Sequence, residues 1–235
     1  MKHFLKKLFL GDPATNTISN DFHKDKRKEN IRAIWHNEHH NDYGLEKIFR
    51  LFLAASQFVF PSSYIKHYLE RYGTHYKDLA VDLIVIFKLA FPIFLLYFQL
   101  QHNHWLLAFQ IWLTAETLLH APTLIFASDT LSKPKSYQRS MLLVFLNYLE
   151  ILFAFAVIYG SGDYLNHPLV HWYDAIYFSF TTGSSMGFGD FVPVTFIGKL
   201  LVSIQAIIFF LFVVIFLNFF SSRMENKGYF DQTIK

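Results

Sequence analysis

Three groups of residues in this chain have types and spacings that could do chemistry. The first is SFTTGSSMGFGDFVPVT, Ser179 to Thr195, where small and hydroxyl residues interrupt long apolar runs. Glycine serves where the backbone must take a positive φ or come close to another group. Gly187 and Gly189 flank Phe188 and precede Asp190, so what this stretch offers is its backbone rather than an apolar side chain. The second group is histidine: His36, His39 and His40 in HNEHH, and His167 and His171 in HPLVH. Imidazoles at such spacings can hold a metal or sense pH. The third is a set of charges within apolar runs, Lys88, Glu116 and Glu150. Ionisable groups at membrane depth are costly and carry a functional expectation.

The elements that position these groups are those of a membrane protein. The chain is 53% hydrophobic with 28 Phe and only 17% charged residues, against about 25% for an ordinary soluble domain. It has no cysteine, which removes disulfides, Cys-based metal sites and Cys nucleophiles. Four runs are long enough for the roughly 20 residues that a crossing helix needs: Leu79–Leu100, Trp105–Ala127, Met141–Gly160 and Phe196–Phe220. Ile48 to Phe60 is apolar, carries Arg50 and stops at Pro61, and is expected to be an interfacial or packed helix. Lys66, Arg71 and Lys77 precede the first run, Lys133, Lys135 and Arg139 join the second to the third, and Arg223, Lys227 and Lys235 follow the fourth. QHNH (101–104) and 161–195 contain neither Lys nor Arg. The positive-inside rule then puts both termini in the cytoplasm and the glycine stretch outside. HWYDAIYFSFTTG (171–183) reads as a helix too short to cross, with Asp174 at its positive end. A short helix that returns as irregular chain is a re-entrant loop, tolerated where it is buried in protein or lines a watery path.

SMGFGD (185–190) resembles the selectivity-filter signature of tetrameric pore-loop potassium channels, commonly T-V-G-Y-G-D, and FVPVTFIGKL (191–200) continues the resemblance into that family's inner helix. The likeness covers about 141–220; residues 1–140 carry none. Together with the four runs above it gives an all-α membrane fold of four transmembrane helices plus a re-entrant pore helix and filter loop per chain, and it implies assembly as a homotetrameric pore. It implies that carbonyls of Ser185, Met186, Gly187, Phe188 and Gly189 replace the hydration shell of K+, with left-handed backbone at Gly187 and Gly189 turning successive carbonyls to one axis. Asp190, Tyr177, Phe178, Thr181 and Ser184 would support the filter, and Phe209, Val213 and Asn218 would line the inner pore. K+ would be the only ligand, with no cofactor, and the partners would be further copies of the chain and the lipid bilayer, not nucleic acid. The expected location is the plasma membrane.

The chain departs from the family's pattern. Phe188 lacks the hydroxyl of tyrosine, Met186 replaces valine, and Tyr177 and Phe178 stand where many relatives have a Trp pair. Asp190 is expected to lose the indole N–H that often holds it, and small Gly183 and Ser184 are expected to leave room for Met186. A weakly selective monovalent cation channel is the alternative. The first two spans lack the arginine ladder of a voltage sensor. Lys88, Glu116 and Glu150 lie roughly 13–17 Å from the cytoplasmic ends of their runs, at about 1.5 Å per residue, so Lys88 is expected to pair with one of the two glutamates. An alternative of another class is an enzyme: HNEHH and HPLVH fit boxes of membrane di-iron desaturases. The charge rule puts these boxes on opposite faces and no third box exists, so no enzyme is expected. The segments are thus a basic cytoplasmic stretch 1–44, an interfacial helix and polar approach 45–78, a peripheral two-helix hairpin 79–140, the pore domain 141–220 and a cytoplasmic tail 221–235.

Overall fold

The computed structural model describes residues 26–37, 43–70, 74–127 and 137–224. His39, His40, Lys133 and Lys135 lie outside the described residues, as do most of the basic N-terminal stretch and of the C-terminal tail. The described chain is helical: α1 (Lys26–His36), α2 (Gly44–Ser56), α3 (Pro61–Glu70), α4 (Thr74–Tyr97), α5 (His104–Phe126), α6 (Tyr137–Gly160), α7 (Trp172–Gly183) and α8 (Phe196–Met224). No strand occurs among the described residues, only an isolated bridge between Leu165 and Pro193. The chain divides into two compact units, Met1–Ala90 with Phe126–Ser132, and Phe91–Ile125 with Lys133–Lys235.

In the first unit α1 packs on α2. Lys47 Nζ donates to the Trp35 carbonyl at 2.9 Å and sits 5.7 Å from the centre of the Trp35 ring, a cation–π contact. The 13 residues of α2 reach about 20 Å, too little to cross a bilayer core of about 30 Å. Its polarity is inverted for a helix in water: Arg50 is buried with Leu53 and Ala54, whereas Leu45, Ile48 and Phe52 are exposed. The apolar run Ile48 to Phe60, expected to be an interfacial or packed helix, is not one helix; it breaks after Ser56 and restarts at Pro61. Proline suits the first turn of a helix, where no intrahelical donor is needed.

The second unit is built on α6. Ile151, Ala154, Ala156, Val157 and Tyr159 are fully buried, and α6 packs on both α7 and α8. One side joins Phe155 and Tyr159 to Phe178 of α7 and to Ile208, Phe212 and Ile215 of α8. The other joins Ala156 and Val157 to Leu95, Leu96, Ala175 and Ile176. Small residues let helices approach closely where lipid supplies no hydrophobic drive between them. Gly183, at the end of α7, shows how close. A Cβ there would collide with Leu152 Cδ2 and come within 3.0 Å of Gln205 Nε2 and 3.4 Å of the Tyr148 hydroxyl. The space beside Gly183 is therefore taken by α6 and α8 and not by Met186, which is 66% exposed.

Three helices are long and apolar enough to cross a membrane: Asp78–Tyr97, Gln138–Gly160 and Phe196–Asn218. The sequence led us to expect four. The difference is α5, which has the length, at 23 residues, but carries Gln110, Thr114, Glu116, Thr117 and His120. Gln110, Thr114, Glu116 and Thr117 are buried in the protein.

Gly183→Ala is expected to cost about 1–3 kcal/mol, the usual penalty for overpacking a close contact. The check is the melting temperature of detergent-purified protein. An unchanged value would show that α6 and α8 can separate freely at this level.

Candidate ion-conduction site

The glycine stretch follows α7, a 12-residue helix of about 18 Å that cannot span a bilayer. Its start is set by Asp174, whose Oδ2 accepts from the amides of His171 at 2.8 Å and Val170 at 3.0 Å. A carboxylate there satisfies orphan amides and complements the positive end of the helix. Near that start the ring of Trp172 meets that of Tyr97, at the end of α4, edge to face at 5.9 Å. Tyr97, Phe98, Trp105, Trp172 and Tyr173 are all exposed here, the composition of an interfacial aromatic belt.

Past Gly183 the main chain folds back on the last turn of α7. Ser184 N–H donates to Phe180 O, Ser185 N–H to Thr182 O, and Thr181 O accepts from both Met186 N–H (2.9 Å) and Gly187 N–H (3.2 Å). Ser185, Gly187 and Gly189 then have φ of 59°, 53° and 83°. Every second residue is thus left-handed, where the sequence pointed only to the two glycines. A Cβ at Gly187 or Gly189 would meet nothing within 4 Å, so backbone conformation and not space calls for glycine. Ser185 takes the same conformation with a side chain, at a cost of roughly 1–2 kcal/mol. Such strain collects at functional sites. Among the described residues, none of the carbonyls from Ser185 to Gly189 accepts a hydrogen bond. Five exposed residues thus present a row of open oxygens.

The supporting residues fall as follows. Tyr177 donates its hydroxyl to the Asp190 carboxylate. Asp190 has no indole N–H beside it, as expected from Tyr177 and Phe178, and meets a phenol instead. That bond first, then desolvation and the negative charge of Asp190, raise the Tyr177 pKa above its ordinary value. The Phe188 ring lies parallel to Tyr177 at 6.3 Å and 6°. Phe178 is buried, edge-on to Tyr159 at 4.7 Å and to Phe191 at 6.4 Å. Thr181 Oγ1 and Ser184 Oγ are turned back on their own helix, to Phe178 O at 3.0 Å and Phe180 O at 2.7 Å. Beyond Asp190, Asn166 clamps the chain: Nδ2 donates to Asp190 O, Oδ1 accepts from Val192 N–H at 2.9 Å, and its own amide donates to Val192 O at 3.0 Å.

Other residues here were missed from sequence. Tyr148 OH donates to Gly183 O at 2.6 Å. Gln205 Nε2 donates to Ser179 O at 2.9 Å and Ser179 Oγ at 3.0 Å, while Tyr159 OH donates to Gln205 Oε1 at 2.8 Å. The one available signal was a lone amide well inside an otherwise apolar span. On α8, Phe209 is half-buried with its ring 6.5 Å from Tyr148, and Val213 is also half-buried. The exposed stripe is Ile204, Ile207, Phe210, Val214 and Leu217, with Asn218 exposed beside it.

Lys88 is buried in the first unit, and Glu116 and Glu150 are buried in the second. Glu150 Oε1 accepts from Thr114 Oγ1 at 3.4 Å. His36, His102, His104, His167 and His171 are exposed. Among the described residues no group of three or more His, Cys, Asp or Glu is placed to hold a metal ion.

Residues 142–226 match the family model described as "Ion channel". No curated protein and no solved structure matches the chain. The matched region, about a third of the chain, holds α6, α7, the open carbonyls and α8, and is similar to an ion-channel domain. That likeness suggests ion conduction across a membrane.

The raised Tyr177 pKa leads to a test with a definite sign. A bond that raises a pKa contributes stability that is whole below the unfolded value, about 10 for tyrosine, and is lost as pH rises through the folded value. Tyr177→Phe should therefore melt below wild type at neutral pH, and the gap should close above about pH 10. A gap independent of pH would mean that the hydroxyl is not bonded to Asp190.

Proposed function

We propose that the chain is one subunit of a homotetrameric, potassium-selective channel of the plasma membrane. The observation that carries this reading is the row of unpaired carbonyls at Ser185–Gly189, set by left-handed backbone at alternate residues and placed at the end of a short helix between two spans. A cation leaving water needs a substitute for its hydration shell, and rings of carbonyls supply one. One chain carries one such row, so four copies close the ring. The C-terminal, negative end of α7 points to the same place and favours a cation there. Phe210, Val214 and Leu217, on the exposed stripe of α8, face the inner pore and neighbouring copies in this reading.

The arrangement in the membrane follows. α5 is the fourth crossing, its buried polar residues turned to protein and not to lipid. Four crossings put both termini in the cytoplasm, in accord with the Lys/Arg-free stretches 101–104 and 161–195 on the other side. The contact of Tyr97 with Trp172 supports this, because it brings the end of α4 and the start of α7 to one depth.

The deciding experiment is reversal potential in liposomes of purified protein under opposed potassium and sodium gradients. A potential near the potassium equilibrium value supports the reading, and absence of any cation current overturns it. A second reading, a weakly selective monovalent cation channel, is favoured by Phe188, which stacks on Tyr177 and has no hydroxyl with which to bond α7.

Two variants separate these readings. Gly187→Asp forces a side chain into left-handed backbone and a charge into the row of carbonyls; it should abolish conduction while subunits still assemble, as judged by cross-linking. Normal potassium flux from this variant would remove the carbonyl row as the conduction site. Met186→Val with Phe188→Tyr should raise potassium over sodium permeability in bi-ionic recordings. An unchanged ratio would count against a filter softened by its side chains.

A further inference from the structure

We propose that Gln205 is a positioning residue that couples α8 to the carbonyl row through α7; the inference rests on the channel reading above. Gln205 is 1% exposed within a helix otherwise apolar around it. A buried amide is costly unless its donors and acceptor are met. Here they are met from two other helices. Both Nε2 donors go to Ser179 of α7, one to its carbonyl and one to its hydroxyl. Oε1 accepts from Tyr159 of α6. Ser179 Oγ in turn donates a hydrogen bond to Leu152 O of α6 at 2.6 Å. Tyr159 and Ser179 are fully buried as well, so no water competes.

The placement of the tie gives it a mechanical role. Ser179 and Gly183 lie one turn apart on the same face of α7. Gln205 of α8 holds the first, and Tyr148 of α6 holds the carbonyl of the second. Thr181, between them, carries the carbonyl that receives Met186 and Gly187 N–H. The last turn of α7 therefore sets the start of the carbonyl row and is itself set by side chains of α6 and α8. The tight fit at Gly183, with Gln205 Nε2 3.0 Å from a built Cβ, leaves no slack between α8 and α7. Sliding of α8 must drag α7 with it or strand buried donors of Gln205. A leucine would fill the same volume without a polar cost, but would let the helices slide. The tie thus links the position of the inner helix to the conducting geometry of the row.

The test uses full-length protein in liposomes, with single-channel records. Gln205→Leu should lower open probability about tenfold, the equivalent of one buried hydrogen bond, with unitary conductance unchanged. Gln205→Glu covers the case in which that variant fails to fold. Its neutral acid keeps one donor for Ser179 and an acceptor for Tyr159, whereas its carboxylate has no donor and faces the Ser179 carbonyl. Open probability of Gln205→Glu should be near wild type at acid pH and fall as pH rises, with burial moving the transition above the ordinary carboxylate range. The ionisable groups around it are the phenols of Tyr148 and Tyr159, and Ser179 is what α7 presents. Wild type recorded over the same range supplies the baseline. If wild type conducts and Gln205→Leu keeps both open probability and conductance, or Gln205→Glu shows no pH dependence beyond wild type, the coupling is overturned and the channel reading stands. If wild type carries no cation current, the channel reading falls and the coupling with it.

Discussion

Everything in the second unit depends on satisfying the main chain that leaves α7. In apolar surroundings an unpaired N–H or C=O costs several kcal/mol, which is why irregular backbone at membrane depth must be enclosed by protein or face a watery path. From Ser184 onward that constraint is met by direction. The amides of Ser184 to Gly187 turn inward to the last turn of α7. The carbonyls of Ser185 to Gly189 turn the other way and find nothing in the chain. After Asp190 the main chain is held again, by Asn166 and by Tyr164 O, which accepts from Val194 N–H. Held chain on both sides distinguishes this open row from a frayed loop.

The rest of the unit supplies the walls that this arrangement needs. α6 stands between the two clusters of the core, and its Ala154 and Ala156 let neighbours in close. Its side chains differ in kind by level. Apolar groups fill the packing, while Tyr148 and Tyr159 reach across with hydroxyls to Gly183 and Gln205. Tyrosine suits both demands, since its ring adds apolar area and its hydroxyl needs a partner once buried. In α5 polar residues occupy positions that lipid could not tolerate. Gln110 Nε2 bonds Thr114 Oγ1 at 3.1 Å within the helix, and Thr114 in turn meets Glu150.

Much of this was legible in the chain, for reasons that can be named. Long apolar runs give helix positions because a crossing helix has no other way to satisfy its backbone. The ends of α4, α5 and α6 therefore fall within a few residues of the runs. The glycine stretch was legible because positive φ has few tenants. The left-handed backbone at Ser185, itself a named site residue, was not legible because serine adopts that conformation at a cost instead of advertising it. α5 has the length of an apolar span, and length alone does not weigh its polar side chains. Gln205 and Ser179 were not legible as a pair. They are 26 residues apart on two helices, and no periodicity or spacing rule reports a contact made across a fold. For Asp190 the sequence showed the missing indole N–H but not that the Tyr177 phenol would meet the carboxylate instead.

These misreadings share a physical basis, and it bears on how the carbonyl row is stiffened. Replacing Tyr and the Trp pair by Phe188, Tyr177 and Phe178 removes polar tips from the outer side of the row while keeping flat aromatic faces. What remains there is a stack of Phe188 on Tyr177, the edge contacts of Phe191 with Tyr177 and Phe178, and one hydroxyl on Asp190. Ring contacts of this sort are worth about 0.5–1.5 kcal/mol each and set distance better than direction. Hydrogen bonds set direction, and behind α7 they are abundant: Tyr148, Tyr159, Ser179 and Gln205 each make one or more in fully or partly buried surroundings. The rigid polar support in this chain lies behind α7, at the level below the carbonyl row. The row is therefore held firmly at its α7 end, by bonds that fix orientation, and more loosely toward Asp190, where apolar faces carry most of the contact.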